Sequence, residues 1–257
     1  TEKTVVDICK RLYDNAVLYT DMLYAKSQDD DLNRAFQNIK SLRMNVAYPF
    51  LLNAYSDYKN GVISNSSFLE IFEFCESYVF RRSVLDSPTN SLNKTFATLY
   101  SQIDKDKYLS SFKYQLVSLD TYKVFPTDEE FMESFISKDI YNTRTRMYVL
   151  TKLENYKNKS PIIEGNYSIE HILPQNKNLN INWQEALGSE WKTIQKEWGH
   201  TIGNLTLTAY NSEMGDRSFE EKLSMDGGFR ESALRLNAYI VNQTMWNQDT
   251  IFERGTQ

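Results

Sequence analysis

The sequence is poor in the residues from which stapled or metal-clipped domains are built. It has two cysteines and two histidines in 257 residues. Cys9 and Cys75 each lie inside an apolar helical pattern. Neither a disulfide framework nor a cysteine-based zinc site can be assembled from them, and a reducing cytoplasm fits best. Proline (5) and glycine (9) are scarce, and no Gly-rich phosphate loop, internal repeat or low-complexity tract interrupts the chain. No run approaches the roughly 20 apolar residues that span a bilayer, and the opening "TEKTVVDICKR" lacks the form of a signal peptide, so no membrane partner is expected. A positive excess is missing too. Twenty-nine Lys and Arg face 34 Asp and Glu, a net charge of −5. This argues against tight, indiscriminate nucleic-acid binding, because that affinity rests on neutralising phosphates, but it allows a local basic groove. The chain opens at Thr1 without an initiator methionine, so an upstream segment is expected.

What is present is a large apolar and aromatic inventory. Hydrophobic residues make up 41%, including 17 Tyr and 14 Phe, against 25% charged, the profile of a globular protein with enough interior to need no staples. Residues 1 to 110 read as successive helices. Val5, Ile8, Cys9, Leu12, Tyr13, Ala16 and Leu23 recur at helical spacing and predict one apolar face. Leu32, Phe36, Ile39 and Leu42 repeat the pattern until Pro49, which should kink or split the segment. Ser67 with Glu70 predicts a capping box at the next helix, another helix is expected over 93–103, and Thr127 with Glu130 predicts a further start. "TRTRMYVLTKLENYKN" adds one more helix.

After Lys159 the pattern changes. "NYSIEHIL" is β-prone, "HTIGNLTLTAY" alternates Ile202, Leu205 and Leu207 with small polar residues, and "GDRSFEEKL" opens a helix through Ser218 and Glu221. The order is strand, long connection, strand, short loop, helix.

His171 stands within this order, after Glu170 and before a short apolar run. Imidazole is the side chain whose ordinary titration, about pH 6.5, suits a base near neutrality. A hard cation that neutralises phosphoryl oxygens calls for oxygen ligands such as Glu and Asn. Adjacent residues of an ideal strand point to opposite faces, so a site shared by Glu170 and His171 requires a bend or bulge there. Pro174 cannot donate to a ladder and suits a strand end.

"EHILPQ", then "GNLTLTAYN", then a helix carrying Lys222 resembles the order of parts in HNH-type ββα-metal nucleases. More particularly, "FPTDEEF", "TRMYVLTKLE", "IEHILPQ", the Trp-containing connection, "HTIGNLTLTAYN", "SFEEK" and "MWNQDTIFER" together resemble the C-terminal domain family of GmrSD-type restriction endonucleases, bacterial anti-phage proteins. The resemblance covers about residues 115 to 257, and the core is also similar to the HNH domain of RNA-guided DNA nucleases. It implies a mainly α (α+β) protein: a helical bundle region over 1–112, then an HNH-like nuclease domain over 113–257 with an embedded ββα-metal hairpin–helix site at about 166–224. It implies cytoplasmic, metal-dependent cleavage of DNA, including modified phage DNA, with one Mg2+ or Mn2+.

Carried over residue by residue, His171 matches the general base, Asn204 the Asn that orients the loop or base, and Glu170 and Asn211 the metal ligands. Lys222, on the helix after the hairpin, reads equally as a residue that reaches a phosphate and as a solvated lysine. Two departures stand out: Glu170 replaces the more usual Asp, and Asn211 the more usual final His, which favours magnesium or manganese over zinc. The resemblance also implies an N-terminal nucleotide-binding or sensing domain in the full-length protein. His200 reads as structural, fixing the hairpin, and Trp183, Trp191 and Trp198 as core or lid residues. Two other readings stand beside the nuclease: a non-catalytic module that binds DNA or a partner, and a ribonuclease toxin, since the motif does not distinguish DNA from RNA.

Overall fold

Several helices start at a side-chain cap, among them those that follow Thr4, Asp29, Ser64 and Ser218. The computed structural model describes residues Thr4–Gln257. It divides into two compact units, one ending at Thr127 and the other running Asp128–Gln257. This division lies well after residue 112, through which a helix runs unbroken.

Among the described residues the first unit holds six α-helices: α1 (Val5–Tyr24), α2 (Asp30–Ser41), α3 (Tyr48–Lys59), α4 (Asn65–Val84), α5 (Leu92–Leu99) and α6 (Tyr108–Val117). The stretch around Pro49 is split as expected: α2 stops at Ser41, and α3 takes the proline into its first turn, where a missing N–H costs nothing. The cap of α4 lies one turn earlier than predicted. Ser64, in extended backbone, accepts from Ser67 N at 3.1 Å, and Ser67 is already helical. Tyr55 stacks on Phe68 at 5.3 Å, and Phe36 and Phe72 pack around them within 5.5 Å. The apolar stripe of α1 does not join this core. Val5, Val6, Leu12 and Tyr13 are exposed and only Met22 of the helix is buried, because periodicity identifies an apolar face but not what covers it.

The second unit begins with α7 (Asp128–Ser137) and α8 (Arg146–Asn155), then forms strand β1 (Ser168–His171). Helices α9 (Ile181–Leu187) and α10 (Trp191–Trp198) fill the long connection to β2 (Leu205–Thr208). Short helices α11 (Asn211–Met214) and α12 (Phe219–Ser224) follow, and α13 (Gln248–Gly255) ends the chain. Ser218 and Glu221 form the predicted capping box of α12. The protein is therefore mainly helical, with one two-stranded antiparallel sheet among the described residues. The register pairs Ser168 with Thr208, Ile169 with Leu207, Glu170 with Thr206 and His171 with Leu205. The four pairs are consecutive, so the bend or bulge expected between Glu170 and His171 is not there. The ladder extends one step past the strand, since Ile172 N donates to Asn204 O at 3.1 Å.

All four residues of β2 are buried, threonines included. Thr206 Oγ1 donates to Asn237 Oδ1, whose Nδ2 donates to Ser232 Oγ at 2.7 Å, so the polar face of the strand is satisfied inside the unit. The core beneath contains Ile172, Leu173, Trp183, Phe219, Leu223, Trp246 and Ile251, with Trp191 and Trp198 packed at its edge. The entry to β2 is clamped by α13. Arg254 Nη1 donates to the carbonyls of Ile202, Gly203 and Leu205 at 3.1, 2.8 and 2.9 Å, and Nη2 reaches Leu236 O at 3.1 Å. A Cβ at Gly203 would lie 2.0 Å from Ile251 O, a backbone atom that cannot swing away. Gly203→Ala is accordingly expected to destabilise the protein by about 3 kcal/mol, the upper end of overpacking costs, read as a lowered denaturation midpoint in urea.

Candidate functional site

Strand β1 is unusual in burying an acid and an imidazole side by side. Glu170 is 2% exposed and His171 4%. In a regular strand they leave the backbone in opposite directions, and their partners differ accordingly. The Glu170 carboxylate takes the ammonium of Lys222, 52 residues further on, and the same ammonium donates to His171 O at 2.7 Å. Lys222 was expected on the helix surface, reaching a phosphate or solvated. Instead it is fully buried, with 0% side-chain exposure, because α12 packs with this face inward and pairs it with Glu170, with the charge of Asp216 acting on it as well.

Burial pushes the Glu170 carboxyl up and Lys222 acts against it. Burial pushes the Lys222 ammonium down and Glu170 acts against that. Desolvation is the larger influence on each, so the two depend on one another for their charge.

His171 turns toward another aromatic group. Its Nε2 lies 3.0 Å from His200 Nδ1, and the Tyr141 ring meets it edge-on at 4.3 Å between centroids. Burial, then His200 and then Lys222 lower its pKa to about 3, with Asp139 opposing, so the imidazole is neutral at physiological pH.

Asn204 is fully buried, and its carboxamide is used at every position. Oδ1 accepts from Leu173 N at 2.8 Å and Trp246 Nε1 at 3.0 Å, and Nδ2 donates to the Leu173 and Gly199 carbonyls, both at 2.9 Å. It fixes the turn that follows His171. Asn211 is exposed at the start of α11, a helix that packs against β1.

Four of the five predicted residues are thus buried at one end of the strand pair, and Asn211 is at its surface. Two participants are additional. His200 read as structural, although its being the only other histidine was a signal. Tyr141 carried none, since 17 tyrosines offer no way to choose one.

The cation that the resemblance implies does not fit these side chains as they stand. Glu170 already has its charge compensated by Lys222, and Asn211 alone is a neutral ligand. Among the described residues no group of three or more His, Cys, Asp and Glu side chains could hold a metal ion.

Two measurements follow. Lys222→Met leaves a buried carboxylate uncompensated and should cost about 3–5 kcal/mol in chemical denaturation. For His171, the folded pKa is lowered, so below the ordinary value of about 6.5 the unfolded chain takes up a proton that the folded chain refuses. Its contribution is nil above that pH and destabilises progressively from about pH 6.5 toward pH 3, with a slope up to about 1.4 kcal/mol per pH unit. His171→Gln should remove this component from the pH dependence of unfolding.

Residues 125–257 match the family described as GmrSD restriction endonucleases, C-terminal domain. No curated protein and no solved structure gives a significant match. The match covers more than half of the chain and includes β1, β2, α12 and every residue of the His171 cluster, and on that ground the chain belongs to the GmrSD restriction endonuclease C-terminal domain family.

Proposed function

We propose that this protein is a nuclease that hydrolyses phosphodiester bonds, with DNA as substrate, in restriction of phage, and that the domain responsible is the second unit with its HNH-like β1–β2–α12 core. The observation that carries this reading is a neutral, buried imidazole at the end of β1, inside "EHILPQ", in a member of a restriction-endonuclease family.

In this mechanism His171 takes a proton from a water molecule as the water oxygen attacks the phosphorus. The bond from phosphorus to the 3′ oxygen breaks, the 3′ oxygen leaves with the electron pair and takes a proton from solvent, and the products are a 5′-phosphate and a 3′-hydroxyl. A base with a pKa of about 3 is always unprotonated at neutral pH but weak. An anionic phosphate arriving beside it raises that pKa, bringing the base toward the range in which proton transfer is efficient. Asn204 is a positioning residue that holds the turn after the base. Glu170 and Lys222 hold β1 to α12. The Mg2+ or Mn2+ implied by the resemblance would have to win Glu170 from Lys222, with Asn211 as second donor. Modified phage DNA as the natural target, and an N-terminal nucleotide-binding or sensing domain in the full-length protein, belong to the same proposal.

A non-catalytic binding module is the second reading, favoured by the pairing of Glu170 with Lys222, which makes that acid a structural group. Incubating supercoiled plasmid with the chain, with Mg2+, Mn2+ or EDTA, separates the two. Wild-type nicking that falls by about 10² or more in His171→Ala, with the variant's thermal unfolding checked, supports the catalytic base. Nucleic-acid binding without cleavage under every condition supports the module. Preferential cleavage of RNA in a competition arm moves the substrate to RNA. Loss of cleavage in EDTA, restored by either ion, requires Glu170 to leave Lys222.

A further inference from the structure

The second histidine is built into the site too firmly to be a bystander. His200 lies just past Gly199, the C-cap of α10, and its carbonyl accepts from both Ile140 N at 2.9 Å and Tyr141 N at 3.2 Å. Its ring stacks on Tyr141 with centroids 5.2 Å apart and planes 16° from parallel. Tyr141 is itself backed by Arg146, whose guanidinium lies 4.9 Å over the ring and whose Nη1 donates to Tyr141 O at 3.0 Å. With backbone and ring both held, Nδ1 of His200 is aimed at Nε2 of His171. Among the described residues, no group hydrogen-bonds the other ring nitrogen of His171.

One proton lies between the two facing nitrogens, and its owner decides what His171 can do. If His200 Nδ1–H donated, the Nε2 lone pair of His171 would be consumed and its Nδ1 would carry the remaining proton, leaving no basic nitrogen. If His171 Nε2–H donates, His200 Nδ1 accepts and the lone pair at His171 Nδ1 stays free.

We infer that His200 is a second positioning residue of the site: its Nδ1 accepts the Nε2–H of His171, locks the imidazole in one tautomer and orientation, and presents His171 Nδ1 as the basic atom. This rests on the proposed role of His171, and the test separates the two.

The chain has only two histidines, so 15N labelling of histidine yields two imidazole spin systems. At neutral pH the inference requires a protonated Nε2 and a lone-pair Nδ1 in His171, a lone-pair Nδ1 in His200, and a scalar coupling across the Nε2–H···Nδ1 bond. A proton on His171 Nδ1 overturns it. In plasmid nicking, His200→Ala should lower kcat by about 10- to 100-fold, as loss of an orienting partner does, with KM little changed. His200→Asn keeps an acceptor near the Nδ1 position and should recover most of the rate. Wild-type rates in His200→Ala overturn the positioning role. If the wild type cuts nothing, the function proposal has failed and the tautomer measurement alone decides the inference, upholding the bond or overturning it.

Discussion

The carboxamide of Asn204 holds together what would otherwise be three separate segments: the turn after β1 through Leu173, the end of α10 through Gly199, and the C-terminal segment through Trp246. A buried amide with every donor and acceptor used is stable in place, and each partner freed of it would be a buried polar group without water. Because its backbone also extends the ladder to Ile172, β1 can end at His171, ahead of Pro174, without unravelling. The position of His171 depends on this junction. Arg254 and Gly203 reinforce it from the other side, bringing α13 to within backbone contact of the entry to β2.

On that frame the regular alternation of β1 sorts two kinds of chemistry. Glu170 enters an ion pair whose members are each desolvated, an arrangement that is costly to break and ties β1 to α12. His171 is turned from that pair toward an aromatic cluster, where burial and a second imidazole keep it neutral. A bend at this point would have brought acid and base to one face. The unbroken register keeps them apart, so the acid pairs with Lys222 and the imidazole faces His200 and Tyr141.

Much of this was legible beforehand where the responsible physics is local. The helix split at Pro49, the Ser218–Glu221 capping box and the placing of the strand pair all depend on residues within a few positions of one another. The Ser67–Glu70 reading failed by one turn because Ser64 offered the same chemistry earlier, in backbone already extended. For the site, the motif order marked out His171, Glu170 and Asn204, but not who their neighbours would be. An exposed Lys222 was a reasonable expectation of a helix seen alone, and only packing turned that face inward.

The sequence by itself determined the helical class and the position of the two strands, because these follow from side-chain types at short spacings, and the order of its motifs carried the resemblance to the family. Tertiary structure alone decided that Lys222 compensates Glu170, that His200 meets His171 under Tyr141, and that the imidazole is neutral. These depend on desolvation and on distances between residues far apart in the chain, quantities that exist only once the core has closed around them.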